Sequence, residues 1–103
     1  MSHPAQNFED VVHQRNRLAI LAVVQEAPRA EFGFLKETLE LTQGNLSRHL
    51  QVLEEAGYVS IEKGYRGRRP RTWVRITRGG RRAFAAEVKS LRDFLDRVDG
   101  EAE

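Results

Sequence analysis

The sequence contains no cysteine. Disulfides, thiolate metal sites and thiol-based sensing of oxidants are therefore excluded, and the absence is typical of a cytoplasmic protein. Long apolar runs are missing as well. The longest, at residues 18–24, is far shorter than the roughly 20 residues that cross a bilayer. The N-terminus shows no charged segment followed by an apolar one, so we expect an unexported cytoplasmic protein with no membrane contact.

The chain is short but can hold one hydrophobic core. Of its 103 residues, 40% are hydrophobic. We expect one domain at residues 8–98, between a flexible N-terminus at 1–7 and a flexible acidic tail at 99–103. A core of this size leaves little stability in reserve, so burial of further apolar surface in a second copy would be useful.

The net charge of +2 conceals a strong local excess of positive charge. Residues 63–82 hold nine of the 17 basic residues and none of the 15 acidic ones, so this segment carries +9 and the remainder −7. A polyanion is the natural partner of such a segment, although a solvated charged surface is the plain alternative.

Apolar spacing predicts two helices in the first 41 residues. The first extends from about Phe8 to Glu26 and stops before Pro28. A second, short helix follows at about residues 34–41, with a brief strand at residues 31–32 just before it.

A third helix is bounded by start and stop signals. Thr42 stands where an N-cap belongs, since its hydroxyl can accept a bond from a free N–H of the first turn. Gly57 suits the position after the helix because glycine tolerates positive φ. Between them Leu46, Leu50 and Leu53 form one buried stripe.

Two alternating segments, residues 58–63 and 72–77, predict a β-hairpin. The segment between them contains two glycines and a proline, so we expect a long basic loop at residues 64–71. Four arginines lie in this loop: Arg66, Arg68, Arg69 and Arg71. Such a cluster repels itself unless an anion binds it, although an unpaired basic loop is the plain alternative.

The chain after Thr77, a second N-cap candidate, predicts a helix at about residues 78–98. Its apolar residues recur at the spacings of a heptad seam. The seam consists of Phe84, Val88, Leu91, Leu95 and Val98. It can pack on its own protomer or on a second copy, and the regular spacing favours the second copy and hence a homodimer.

The predicted order is helix, short strand, helix, helix, strand, strand, helix. This order gives a mainly α fold with a small β-hairpin (α+β), and it is typical of a winged helix-turn-helix. There the third helix enters the major groove of duplex DNA, and the hairpin, called the wing, reaches the adjacent minor groove or the backbone. The sequence thus favours a sequence-specific DNA-binding regulator.

Polar residues fill the outer face of the third helix near its start. Amide side chains can bind adenine edges, arginine can bind guanine, and a glycine lets the backbone approach phosphate. The candidate contacts are Gln43, Gly44, Asn45, Ser47 and Arg48. The plain alternative is that these residues only solvate an amphipathic helix.

On the wing, Arg68 and Arg69 are the first candidates for a narrow minor groove, whose enhanced negative potential attracts arginine. His49 is a weaker candidate, either a DNA contact or an ordinary surface histidine. Tyr65 and Trp73 could stack on sugars or bases, but we favour packing across the base of the hairpin.

Five segments carry a family resemblance: RLAIL at 17–21, LTQGNLSRHL at 41–50, LEEAGYV at 53–59, GRRPRTW at 67–73 and ITRGGR at 76–81. In this order they resemble the winged-helix repressors of the MarR and ArsR superfamily, with a wing similar to that of PadR-like proteins. The resemblance covers roughly residues 8–95. It implies a homodimeric regulator with the DNA contacts given above, and a dimer interface of the N-terminal and C-terminal helices that adds Phe8 and Val12 to the seam.

The chain departs from the metal-sensing members of that superfamily. Those members use cysteine or clustered histidine and carboxylate ligands, whereas His3, His13 and His49 are far apart in this sequence. We therefore expect no metal and no cofactor, and a small-molecule effector stays open. A dimer would place two third helices about 34 Å apart on a near-palindromic operator.

Other functions have less support. The sequence has no phosphate-binding loop, nucleophile elbow or metal pair, so we do not expect an enzyme. A winged helix used only for protein interaction would not bind duplex DNA at low salt, whereas a regulator would bind tightly and with strong salt dependence. An RNA-binding protein would need an exposed aromatic platform of the usual kind, which the sequence lacks.

Overall fold

The computed structural model describes residues 10–102, the last two by their backbone alone. A helical turn at residues 10–13 is followed by α1 (Arg15–Val24), β1 (Ala30–Glu31), α2 (Phe32–Thr38), α3 (Gln43–Glu55), β2 (Val59–Arg66), β3 (Arg69–Ile76) and α4 (Arg78–Ala102). The strands form an antiparallel sheet in the order β1-β3-β2. The predicted mainly α fold with a small β-hairpin is confirmed.

The first predicted helix is interrupted at Gln14. This residue is extended, with φ −59° and ψ 127°, and its side chain caps α1 by accepting the N–H of Arg17 at 2.9 Å. Apolar spacing continues across the break, so spacing alone could not locate it. Phe8, where the predicted helix begins, lies outside the described residues.

α3 has the predicted ends. The Thr42 hydroxyl accepts the N–H of Asn45 at 3.1 Å, and Gly57 has a φ of +81° just past the helix. The N–H groups of Gly57 and Tyr58 donate to carbonyls of the last turn, each at 2.9 Å, which forms a Schellman motif. This motif turns the chain directly from α3 into β2.

The hairpin differs from the long loop predicted at residues 64–71. Both strands continue to a two-residue turn, Gly67-Arg68, which the pair Arg66↔Arg69 closes. Gly67 has a φ of +65°, the conformation that the first central position of a type II′ turn requires. The glycine at this position therefore marks a tight turn.

Pro70 lies inside β3, where a proline ordinarily argues against a strand. Hydrogen-bonded and non-hydrogen-bonded pairs alternate along an antiparallel ladder, and the bonded pair closes a two-residue hairpin. The next pair, Tyr65↔Pro70, is therefore non-bonded, and the Pro70 nitrogen faces the other edge of β3. β1 pairs only with Trp73 and Val74, so no neighbouring strand needs an N–H from Pro70.

The core lies between the helices and one face of the sheet. Its largest fully buried side chains are Val12, Ile20, Leu21, Val24, Leu35, Leu46, Leu50, Leu53 and Val74. Val12, predicted as a dimer contact, thus packs inside its own protomer. None of the helices among residues 10–102 is long and apolar enough to span a membrane.

α4 runs to Ala102, four residues past its predicted end at Val98. Residues 99–102, predicted as part of a flexible tail, contain no proline and one glycine, and a single glycine costs a helix only about 1 kcal/mol relative to alanine. The first half of α4 packs on the core through Phe84, and the buried Glu87 carboxylate lies 2.5 Å from His13 Nδ1. The second half is exposed.

The junction between β3 and α4 is tightly packed. The N–H of Thr77 donates to Tyr58 O at 3.0 Å, and its hydroxyl donates to Gly57 O at 2.6 Å. The same hydroxyl accepts the N–H of Gly80 at 3.0 Å, as predicted for the N-cap of α4. A Cβ on Gly80 would lie 2.1 Å from Tyr58 O, so only glycine fits there.

Replacing Gly80 by alanine should lower the free energy of unfolding by about 2 kcal/mol or more, because the Tyr58 backbone cannot move away without displacing α4. Gly79→Ala is the matched control. Its Cβ would meet no atom closer than 3.6 Å, so it should be neutral or stabilising by up to about 1 kcal/mol. Urea unfolding at one protein concentration measures both, and equal stabilities would contradict the close approach of α4 to Tyr58.

Candidate nucleic-acid interface

The first half of α3 presents a polar face to solvent. The five predicted contacts on this helix are all exposed: Gln43, Gly44, Asn45, Ser47 and Arg48. Because the leucine stripe of α3 is buried, these residues are directed outward. They form one surface, less than two helical turns long, that is rich in hydrogen-bond donors and acceptors.

His49 differs from these neighbours because it faces α1. It is partly buried, with Nδ1 3.4 Å from Arg17 Nη1 and Nε2 3.5 Å from Asn16 Nδ2. Arg17 also donates to the carbonyls of Val11 at 2.6 Å and Asp10 at 3.3 Å. A single arginine therefore joins the N-terminal helical turn to α3, a link that no sequence pattern indicated.

The surroundings of His49 lower its pKa below the ordinary value of 6.5. Burial is the largest cause, and the positive charges of Arg17 and Arg48 add to it. The imidazole is therefore neutral near pH 7, which lets Nδ1 accept a hydrogen bond from Arg17.

Two arginines stand at the tip of the wing. Arg68 lies in the two-residue turn, Arg69 begins β3, and both are exposed. Within residues 10–102 neither side chain forms an ion pair. Their positive charge is therefore available to an external anion.

One carboxylate holds the other two predicted wing contacts. Glu31 Oε1 lies 2.5 Å from Arg71 Nε, and Glu31 Oε2 lies 3.4 Å from Arg66 Nη1. A second ion pair, between Arg75 Nε and Glu62 Oε1 at 2.6 Å, lies on the same face of the sheet but farther from the tip. Of the four arginines predicted as one cluster, the two at the tip form no ion pair within residues 10–102, and the other two are bound by Glu31.

The two aromatic residues of the wing have different surroundings. Trp73 is partly buried, in register with Glu31 on one side and Glu62 on the other, and the Arg29 guanidinium lies 3.8 Å over its ring. Tyr65 is 71% exposed. Trp73 is therefore used in packing, whereas Tyr65 is accessible for stacking.

α3 and the base of the wing lie side by side. A cleft of about 320 Å³ separates them, lined by Gln43, Ser47 and Gln51 of α3 and by Ile61 and Thr72 of the hairpin. The polar face of α3 therefore lies beside the inner face of the hairpin, the face of Ile61 and Thr72, and the outer face carries Arg66 and Arg71. A polar helix face beside a cationic hairpin is the arrangement of a DNA-binding surface.

Comparison with known protein families agrees with this geometry. The family model of the winged helix DNA-binding domain matches residues 16–95. The chain belongs to this family. The sequence resemblance to winged-helix transcriptional regulators is thereby confirmed, and the family is one of DNA-binding domains, not of enzymes.

Two similar proteins match this winged-helix chain over most of its length. An uncharacterized protein of Methanocaldococcus jannaschii, MJ0432, is 46% identical over 83 residues, which are 81% of this chain and 90% of that protein. The solved structure of a transcriptional regulator homologue from Pyrococcus horikoshii OT3 is 33% identical, with a TM-score of 0.82 over 87% of this chain and 89% of that one.

A more distant structure shows the same fold. A protein of Enterococcus faecalis V583, described as a transcriptional regulator of the MarR family, is 18% identical, with a TM-score of 0.77 over 99% of this chain and 94% of that one. At this identity the likeness concerns the fold alone.

Among residues 10–102 no three His, Asp or Glu side chains are placed to hold a metal ion.

His49 should make the stability of the winged helix depend on pH. Its pKa is lowered in the folded protein and returns toward 6.5 in the unfolded chain, so between these values the unfolded state binds more protons. The free energy of unfolding should therefore fall as the pH drops below 6.5, and the loss should be complete below the folded pKa.

The variant His49→Gln cannot titrate and should lack this part of the pH dependence. Urea unfolding of both proteins between about pH 7.5 and about pH 5 measures the difference. If the two curves run parallel over that range, the influence of burial, Arg17 and Arg48 on His49 is contradicted.

Proposed function

We propose that this protein is a sequence-specific regulator of transcription that binds duplex DNA as a homodimer and acts as a repressor. One observation carries the proposal: the exposed polar face of α3 lies beside a wing whose tip arginines, Arg68 and Arg69, are unpaired within residues 10–102. Both features face solvent, so a duplex can reach them together.

In this proposal α3 reads bases in the major groove, which is wide enough to admit a helix. The amides of Gln43 and Asn45 can each bind adenine through two hydrogen bonds, and Arg48 can bind guanine O6 and N7. Gly44 and Ser47 let the start of the helix approach a phosphate, where free N–H groups and the helix dipole favour an anion.

The wing supplies affinity that depends little on base sequence. Arg68 and Arg69 enter the adjacent minor groove, where a narrow groove concentrates negative potential. Arg66 and Arg71 lie just behind the tip, on the side of the wing that meets the flanking backbone in this proposal. Each phosphate that an arginine neutralises releases counterions, so binding weakens steeply as salt rises.

The part of α4 that follows Glu87 supplies the surface for a second copy. Its exposed or half-exposed apolar residues are Val88, Leu91, Phe94, Leu95 and Val98. All except Phe94 belong to the predicted seam. Phe84, the first residue of that seam, instead packs on its own core, so we place the interface on the distal part of α4.

A twofold dimer implies a near-palindromic operator. The two α3 helices would enter the major groove about one turn of DNA, roughly 34 Å, apart. A dimer on both half-sites covers the DNA between them, which favours repression by exclusion of the polymerase.

The dimer should depend on Leu95, which is 56% exposed. Leu95→Ser removes an apolar contact from the seam and should shift sedimentation at micromolar concentration from dimer toward monomer. Phe34 on α2 is 55% exposed but lies off the seam, so Phe34→Ser is a matched control that should leave the dimer intact. A monomeric wild type, or an equal shift in both variants, would count against the proposed interface.

DNA binding should divide between the wing and α3. Arg68→Ala/Arg69→Ala should weaken binding of every duplex and reduce the slope of log K against log salt by about 1.8, the value for two phosphate contacts. Asn45→Ala or Arg48→Ala should cost about 1–3 kcal/mol on the operator and relax the preference at one base pair. Sequencing the genomic fragments that the purified protein retains supplies the operator for these titrations.

The control Arg92→Ala/Arg97→Ala removes the same charge from the exposed part of α4 and should keep the wild-type salt slope. Equal effects of the wing and α3 variants on all sequences would contradict the division. Absence of duplex binding at low salt would instead support a protein-interaction module.

A further inference from the structure

Glu31 lies between two wing arginines that belong to different strands. β1 places it in register with Trp73, two residues along β3 from Arg71. Side chains two residues apart along a strand share a face, so Glu31, Arg71 and Arg66 lie together on the outer face of the sheet, opposite the buried Val74. The Glu31 side chain is only 18% exposed, and both arginines lie within ion-pair distance of its carboxylate.

The two arginines are held unequally. Arg71 is 31% exposed, lies 2.5 Å from the carboxylate and also donates from Nη1 to Pro70 O at 3.0 Å, so it is fixed at two points. Arg66 is 72% exposed, lies 3.4 Å from the carboxylate and adjoins Gly67 of the turn. Exposed ion pairs are weak and are screened by salt. Arg71 therefore stays with Glu31, whereas a competing anion can take Arg66.

A DNA phosphate is an anion of this kind. Arg66 stands directly opposite Arg69 in the pair that closes the hairpin. A wing that carries Arg69 to a duplex therefore also carries Arg66 to the flanking backbone, together with the carboxylate that holds it. Glu31 then opposes binding in two ways, because it occupies Arg66 and because it repels the phosphate.

We propose that Glu31 competes with DNA phosphate for Arg66 and so limits the affinity that the wing contributes to binding of duplex DNA. This inference rests on the proposed function. In a loose complex with random DNA, Arg66 stays with Glu31 and only the tip arginines contribute. In the operator complex α3 fixes the register, and Arg66 exchanges the carboxylate for a phosphate. Because Arg66 must leave Glu31 before it reaches a phosphate, Glu31 lowers the contribution of the wing in both complexes.

The variant Glu31→Gln removes the charge but keeps the size and polarity of the side chain. On a random-sequence duplex at about 50 mM salt, its affinity should rise roughly fivefold over the wild type, and the log–log salt slope should steepen by about 0.9, the value for one phosphate contact. Raising the salt to about 200 mM should then reduce the gain roughly 3.5-fold. Affinity for the operator should rise at least as much, because Arg66 contacts a phosphate there and no longer has to leave a carboxylate.

Glu62→Gln is the matched control. Glu62 and Glu31 are both in register with Trp73, from the two strands that flank β3, but Glu62 holds Arg75, away from the tip. Its replacement changes the net charge equally and should raise the affinity much less. In an Arg66→Ala background, Glu31→Gln should give no more gain than Glu62→Gln does. Circular dichroism melting checks that every variant is folded.

Three results would overturn the inference. If Glu31→Gln raises the affinity for the duplex only as much as Glu62→Gln does, the change in net charge explains the effect. If it still raises the affinity in the Arg66→Ala background, another arginine is released. Weaker binding by Glu31→Gln would mean that Glu31 positions the wing and does not compete. The wild type is measured alongside and separates the two proposals. If the wild type binds no duplex, the proposed function is contradicted. If the wild type binds and Glu31→Gln has the same affinity, only this inference is contradicted.

Discussion

Burial of the leucine stripe of α3 is the contact on which the DNA-binding surface depends. Leu46, Leu50 and Leu53 are buried, and burying a leucine side chain contributes roughly 1.5–3 kcal/mol. Rotation of α3 about its axis would expose this stripe, at a cost comparable to much of the net stability of a small domain, about 5–15 kcal/mol. The core therefore decides which face of α3 is left for the proposed contact with DNA. The residues on that outer face are exposed, so a substitution there changes the proposed DNA contact without loss of the fold.

Much of this could be predicted from the sequence because the signals are local. The caps at Thr42 and Thr77 and the glycine at Gly57 act within a few residues, and the structure has the corresponding hydrogen bonds and the positive φ. The candidate residues on α3 follow from the same pattern, since a buried stripe at helical spacing leaves one face outside. The order of helices and strands then indicated the fold, because few arrangements bury those faces together.

The rest depends on contacts between residues that are distant in the sequence. Glu31 meets Arg66 across 35 residues, and nothing in the two-residue strand β1 indicates either that contact or the one with Arg71. Gly67 is compatible with a long loop or a tight turn, and only the register of the paired strands distinguishes them. Val12 fits an apolar seam equally well whether it faces the core or a second copy, because periodicity identifies a buried face but not what covers it.

The junction at Thr77 gives the proposed dimer a fixed relation to the DNA. Gly57 and Tyr58 follow directly after α3, and Thr77 hydrogen-bonds to the carbonyls of both, so the start of α4 is tied to the segment that ends α3. At Gly80 the backbone of α4 approaches Tyr58 O with no side chain between them. α4 is 25 residues long in all, about 37 Å. Pairing of two α4 helices therefore sets the separation of two α3 helices, so a shift at this junction would move both out of register with their half-sites.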